Sequence, residues 1–449
     1  VSEVDLSRTL VVGVGVTGRA VAAALGRRGH HVDLADDRPD GVSLAGLASS
    51  EVFDSSDDAV LDGLLARSTA VVPSPGVPRH HSCYRLADRH GRPVVSELDL
   101  AAGWDARPVA AVTGTNGKTT VTTLTTTMLR RSGVQAVAAG NTDTPLVEAI
   151  DDSGARADAF VVEASSFRLE RTRSFRPRAA AWLNFAADHL DWHGDLDSYA
   201  AAKARIFEHQ QAEDIAVLPV EDSQVRERVQ APRARVVTFG PSADVGPHGE
   251  QLVAHGVSIV PLAEIKRGRP HDLANASAAT ALALALGANR EAIADELREF
   301  GGLPHRLQTI ASINGVTFHN DSKATAPHAT LAAMAGFDRP VLIAGGRNKD
   351  LDLSELGTLS DAIAGVVLIG EAADELADVF GSSIAQCRAV SMSEAVDLAE
   401  SLAHDTGAAD VVLSPSCASF DWYRNYEERG EDFRRIVLER AHREEIAAP

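Results

Sequence analysis

Ala111-Val112-Thr113-Gly114-Thr115-Asn116-Gly117-Lys118-Thr119-Thr120 is the stretch on which the fold of this chain turns. It follows a short apolar run, Pro108 to Val112, of the kind that forms a buried parallel strand. A helical pattern then reaches about Arg131. Strand, Gly-Lys-Thr turn and helix together make a phosphate cradle. Backbone N–H groups of the turn point at phosphate oxygens, and the helix N-terminus adds a positive field. A lysine placed like Lys118 reaches the β- and γ-phosphates, and a hydroxyl placed like Thr119 reaches Mg²⁺. The general pattern has a glycine where this chain has Val112. The stretch alone therefore leaves open a plain glycine turn with a surface lysine.

Upstream, a strand over Leu10 to Val14 meets Gly13-Val14-Gly15-Val16-Thr17-Gly18, which opens a helix to about Arg27. A second strand, His31 to Ala35, ends at Asp36-Asp37-Arg38. Glycine turn, helix and a later acid are what a dinucleotide needs, so NAD binding competes here. Ala70 to Pro73 runs into Ser74-Pro75-Gly76-Val77, a stiff turn at another strand end. Gly103 to Pro108 mixes glycine, proline and charges, and reads as a linker.

Downstream, strands are expected at Val134 to Ala139, Ala157 to Val162 and Ala179 to Leu183. They deliver Asn141, Glu163 and His189 to the carboxyl edge of a mostly parallel sheet, where ligands bind. A carboxylate beside a triphosphate calls for a cation, and Mg²⁺ accepts carboxylate, hydroxyl and phosphate oxygens. Glu163 and Thr119 are the first choices for it. A helix from Tyr199 to Phe207 carries Lys203 among alanines, a setting that ordinarily faces water. Strands follow at Ile215 to Leu218 and Arg235 to Phe239, whereas Pro247 to Gly256 carries no functional signal. Further βα units at Val316, Val341 to Ala344, Val366 to Gly370 and Val411 to Leu413 predict a small α/β domain before a final helix.

A chain of 449 residues exceeds one hydrophobic core. The net charge of −20 argues against general binding to nucleic acid or anionic membrane, though not against a small anion in a local cradle. Cys83, Cys387 and Cys417 lie far apart without metal or disulfide spacing, which fits a reducing compartment. Val1-Ser2-Glu3-Val4-Asp5 lacks the basic start of a signal peptide, and no apolar run is long enough to span a membrane. A cytoplasmic monomer without stable membrane insertion is the expectation.

The loop Thr113 to Thr120 resembles the ATP-binding loop of the Mur ligases, ATP-dependent amide-forming enzymes of peptidoglycan synthesis. In that family the first loop glycine is usually absent, so Val112 is no objection. Asn184-x-x-x-Asp188-His189-Leu190-Asp191 followed by Tyr199-x-x-x-Lys203 also matches the family, as do Gly302-Leu303-Pro304-His305-Arg306 and Asn320-Asp321-Ser322-Lys323-Ala324-Thr325. The resemblance covers nearly the whole chain and implies an α/β, three-domain architecture. Residues 1–105 would be a Rossmann-like domain for a UDP-sugar, 106–305 a central P-loop ATPase-like parallel-sheet domain, and 306–449 a C-terminal Rossmann-like α/β domain for an amino acid.

The resemblance also implies roles. Gly114, Thr115, Asn116, Gly117, Lys118, Thr119 and Thr120 would hold ATP, with Asn275, Arg306 and Asp321. Asp272 stands where the family usually has an asparagine near the adenine, and an ionised aspartate accepts without donating. Gly15, Val16, Thr17, Asp37, Arg38, Ser74, Pro75, Gly76, Asn141 and His189 would meet the UDP-substrate. Two Mg²⁺ ions are implied, with Thr119, Glu163, His189 and a CO₂-derived carbamate on Lys203 around them. Lys323 would sit beside the phosphates, in a catalytic set with Lys118, Glu163, His189 and Lys203. The C-terminal motifs resemble the branch that adds D-glutamate to UDP-N-acetylmuramoyl-L-alanine, with Thr325, Lys349, Ser419 and Tyr426 around the amino acid. The branch that adds L-alanine is the nearest rival. An NAD oxidoreductase or a non-catalytic nucleotide-binding scaffold would leave the Lys118, Glu163, His189 and Lys203 motifs unexplained.

Overall fold

The computed structural model describes residues 4–447 other than 48, 50, 142–143, 154–155 and 230–231; Val1-Ser2-Glu3, part of the N-terminal reading, lies outside them. Among the described residues the strands form three sheets. The first is parallel, in the order Val52–Asp54, His31–Asp36, Arg8–Val12, Ala70–Pro73. Leu10, Val11 and Leu34 are wholly buried, which explains why these strands read as unbroken apolar runs. The glycine turn then enters the helix Val16–Arg27. Gly13 takes a left-handed φ of 80°, and a Cβ on Gly18 would lie 1.9 Å from the Gly13 carbonyl oxygen, so the turn closes only with glycines.

The second sheet has nine strands. Its parallel part places Val109–Thr113 between Ala159–Glu163 and Ala179–Trp182, with Ala136–Gly140 at the outer edge. Val112 pairs in register with Glu163, so the acid emerges beside the start of the Gly-Lys-Thr turn. At the other edge Val245–His248, Gln251–Ala254 and Val257–Pro261 form an antiparallel meander. The sheet is mostly parallel, as expected, and this meander is its antiparallel part. Its signal was the two-residue turn His255-Gly256, with φ of 52° and 77°, a geometry that favours glycine between short strands.

These two sheets belong to one compact unit that runs to Ile265 and includes Leu273–Glu299. In the 103–108 stretch, read as a linker, Gly103, Ala106 and Pro108 are exposed while Trp104 and Arg107 make contacts. Gly103 and Trp104 finish the helix Glu97–Trp104, with the Arg28 guanidinium 4.0 Å above the Trp104 ring. Arg107 donates to the carbonyls of Ile150 and Ala157, each at 3.1 Å. The second unit comprises Lys266–Asp272 and the chain from Phe300 on. Its sheet has six strands, in the order Gln308–Ile313, Val316–Asn320, Asp410–Ser416, Val341–Gly345, Gly365–Ile369, Ala385–Arg388. Only the first pair is antiparallel. Among the described residues no helix is long and apolar enough to cross a membrane.

Candidate active site

The Gly-Lys-Thr turn is built from its ends. Gly117 adopts φ 83° immediately before the helix Lys118–Arg131, and a Cβ there would lie 2.4 Å from Asn275 Oδ1. Only glycine permits both the conformation and the approach of Asn275. The side chain of Asn184 reads the loop backbone twice, accepting the Asn116 N–H at 2.8 Å and donating to the Asn116 carbonyl at 3.2 Å. Thr115 Oγ1 accepts the Ala186 N–H at 3.1 Å. Lys118 Nζ donates to the carbonyls of Gly114 and Thr115 at 2.9 and 2.8 Å, which holds the ammonium against the turn. Thr119 and Thr120 follow on the first helical turn.

Glu163 is buried at its strand end, where its Oε1 accepts from Asn141 Nδ2 at 3.2 Å. One carboxylate, one threonine hydroxyl and substrate oxygens suit Mg²⁺, which keeps water and phosphate in its shell. No cluster of three or more histidines, cysteines and acids forms among the described residues. The Thr119 and Glu163 oxygens are donors of the kind Mg²⁺ takes. His189 sits at φ 53° as the N-cap of the short helix Leu190–His193, with Nε2 3.4 Å from Asp188 Oδ2 and its ring edge-on to Phe167.

Lys203 departs from its sequence context. It lies on the helix Leu196–Ala204 and is 1% exposed, so the water-facing reading fails. The reason is tertiary: the helix packs beneath the loop. Its Nζ donates to the Gly114 carbonyl at 2.8 Å and sits 4.4 Å from the Tyr199 ring centre. Lys118 donates to that same carbonyl oxygen. Burial, then the neighbouring Lys118 charge, push the Lys203 amine well below the usual lysine range, and Asp188 only partly opposes them. Both effects favour the unprotonated form of the amine.

A cleft of about 650 Å³ opens over the first glycine turn. It gathers Gly15, Val16, Thr17, Asp37, Arg38, Ser74, Pro75, Gly76 and Asn141, all singled out from sequence, whereas His189 does not line it. It also contains Arg168 and His81, which sequence reasoning missed. Arg168 is buried, donating to Glu97 Oε2 at 2.8 Å and to Thr17 Oγ1 at 3.0 Å. Its only sequence signal was an arginine shortly after Glu163. His81 Nδ1 accepts the Cys83 N–H at 3.2 Å, which leaves Nε2 to donate to Asp37 Oδ1 at 3.1 Å. The Ser55 hydroxyl first, then His81, hold the Asp37 carboxyl below its ordinary value against the effect of burial. Asp36, beside it in the cleft, accepts the N–H groups of Val14 and Arg38 at 2.7 and 3.0 Å.

In the second unit, Asp321 is buried, accepting from Ser414 Oγ at 3.0 Å and from the Leu307 N–H at 3.1 Å. Burial pushes its carboxyl up to about 7, partly opposed by these hydrogen bonds and by Arg306 and Arg267. Lys323 Nζ lies 3.7 Å from the Tyr426 ring centre, and Lys349 Nζ lies 5.4 Å from that of Phe420. Ser419 is buried and Thr325 half-buried. Asp272 Oδ1 accepts from Arg267 Nε at 2.9 Å, while its buried Oδ2 has no hydrogen-bond partner among the described residues.

Comparisons with known proteins agree with this arrangement. Residues 112–283 match the Mur ligase middle domain, and 305–417 match the Mur ligase glutamate ligase domain. The UDP-N-acetylmuramoylalanine--D-glutamate ligase of Desulfosudis oleivorans is 39% identical over 448 residues, covering 96% of each chain. The enzyme of the same name from Geobacter metallireducens is 37% identical over 97% of this chain and 98% of its own. Among solved structures, a pseudomurein peptide ligase type C from Methanothermus fervidus shares the fold, with a TM-score of 0.60 at 16% identity over 96% of this chain and 99% of that one. The Gly-Lys-Thr turn, the register-matched acid and similarity along 96% of the chain converge: the chain belongs to the Mur ligase family, in the group of the UDP-N-acetylmuramoylalanine--D-glutamate ligases.

Proposed function

We propose that this chain joins D-glutamate to UDP-N-acetylmuramoyl-L-alanine at the expense of ATP, releasing ADP and phosphate, in peptidoglycan precursor synthesis in the cytoplasm. The observation that carries the reading is similarity along 96% of the chain to relatives of that name, in a protein whose Gly-Lys-Thr turn and Glu163 stand in register.

The three regions take three tasks. The cleft over Gly15 to Thr17, Asp37, Arg38 and Ser74 to Gly76 binds the UDP end, since an arginine fork suits a diphosphate. The turn Gly114 to Thr120 binds the ATP phosphates, with Asn275 and Asp272 toward the adenine and Arg306, Asp321 and Lys323 completing the nucleotide set. Thr325, Lys349, Ser419 and Tyr426 hold D-glutamate, the lysine and hydroxyls meeting carboxylates. The alanyl carboxylate attacks the γ-phosphate and becomes an acyl phosphate while ADP leaves. The D-glutamate amine then attacks that carbonyl, and the tetrahedral intermediate expels phosphate to leave the amide. Lys118 offsets charge on the transferring phosphoryl group. No protein nucleophile is needed, and exclusion of water protects the acyl phosphate.

Mg²⁺ would neutralise phosphate charge, one ion held by Thr119 and Glu163 and a second by His189 and a carbamate on Lys203. Carbamate formation requires an unprotonated amine to attack CO₂ and then lose a proton. Burial of Lys203 beside Lys118 supplies that amine.

An amino-acid panel with UDP-N-acetylmuramoyl-L-alanine and ATP, read by phosphate release and product mass, tests the assignment. Selective use of D-glutamate is expected. Ligation of L-alanine to UDP-N-acetylmuramate would move the assignment to the rival branch.

A further inference from the structure

Arg429 is among the largest fully buried side chains, 1% exposed, and no carboxylate pairs with it among the described residues. A buried guanidinium is costly unless its lost hydration is returned, here in part by the Asp421 charge acting from beyond ion-pair contact and in part by hydrogen bonds. Here those bonds go to two separate loops. Nε donates to Ser322 Oγ at 2.9 Å and Nη2 to the Ser322 carbonyl at 2.9 Å, while Nη1 donates to the Cys417 carbonyl at 3.1 Å. The Ser322 hydroxyl donates to the Tyr426 carbonyl at 2.8 Å, at the start of the helix that carries Arg429. A Cβ on Gly346 would lie 3.1 Å from Arg429 Nη1, so a third loop is fitted against the same guanidinium. Burial lowers the guanidinium from its ordinary value only to about 10, so it stays charged at neutral pH.

We infer that Arg429 is the positioning residue of the amino-acid pocket, its rigid fork fixing the Ser322, Cys417 and Tyr426 backbones in one frame. The inference rests on the proposed D-glutamate site, whose Thr325, Ser419 and Tyr426 each lie within three residues of an Arg429-held group. A lysine would keep the charge, yet one tetrahedral ammonium cannot satisfy both faces of Ser322 and the Cys417 carbonyl as a planar fork does.

The test is steady-state kinetics of R429K with each substrate varied in turn. The expected result is a rise in KM for D-glutamate of about 10–100-fold, the scale of lost charged hydrogen bonds, with KM for ATP and for UDP-N-acetylmuramoyl-L-alanine within about twofold of wild type. A purely structural role would lower melting temperature or shift all three KM values together, and either pattern without the D-glutamate selectivity overturns the inference. S322A provides the second reading should R429K not fold. It removes the hydroxyl between Arg429 and Tyr426 without uncovering the charge, and is expected to raise the D-glutamate KM several-fold. An unchanged D-glutamate KM in S322A overturns the inference. Wild-type enzyme that ignores D-glutamate would instead defeat the proposed function, so the two failures are distinguishable.

Discussion

Lys203 and Arg429 are both 1% exposed basic side chains with no carboxylate in ion-pair contact among the described residues, one under the phosphate turn and one behind the C-terminal loops. They meet the cost of burial in opposite ways. Lys203 donates to the Gly114 carbonyl it shares with Lys118, and burial lowers its pKa well below the usual lysine range. Arg429 has three acceptors in a planar fork and keeps its charge. The difference teaches that burial acts by residue type: it favours the neutral form of a lysine, whereas an arginine keeps its charge and its fork of donors.

The largest effect that could break this comparison is at Lys203. K203A and K203R should each lose about a thousand-fold in turnover, the scale of several kcal/mol of charge stabilisation, with circular dichroism unchanged. Arginine keeps a cation and cannot form the lysine carbamate. Depleting dissolved CO₂ should weaken the wild type, and bicarbonate should restore it. A small added carboxylate should partly rescue K203A but not K118A. Near-normal turnover by both Lys203 variants in CO₂-depleted buffer would sink the carbamate proposal and leave Lys203 a packing residue.

Asp321 is the same case with the sign reversed, a buried acid relieved by taking a proton. Its folded carboxyl titrates near 7 against 3.8 unfolded, so the unfolded state releases its proton first as pH rises. The stability it contributes is fully present below about 3.8 and is lost by about 7. D321N, neutral throughout, should show a flatter fall in stability across that window, by about 1.4 kcal/mol per unit of the pKa difference. Parallel wild-type and D321N curves of melting temperature against pH would show that the carboxyl is ionised in the fold.

Asp272 sharpens the comparison from the other side, because it is a buried acid that does have its cation, Arg267. D272N keeps an acceptor for Arg267 Nε and gives the unpartnered side of the carboxylate a donor. The expected loss of stability is about 1–3 kcal/mol in urea unfolding, with ATP binding the same or tighter. Unchanged ATP affinity together with unchanged preference over GTP would remove Asp272 from the adenine site.

What the sequence by itself determined is local. Strand, glycine turn and helix around Gly13 to Gly18 and Thr113 to Thr120 were legible, because a left-handed φ or a contact closer than a Cβ allows only glycine. Glu163 at a strand end was legible because an apolar run that stops at an acid announces its own carboxyl edge. Resemblance supplied Lys203 as a site, yet the alanines around it pointed to water. Only the tertiary structure could bury it, since the Gly114 carbonyl that receives it is far away in the chain. The same holds for Arg168 with Glu97 and Thr17, and for Arg429 with Ser322 and Cys417. Spacing and turn chemistry act through neighbouring residues and can be read along the chain. Desolvation and partner choice depend on what the fold brings from elsewhere, and the packed structure decided them.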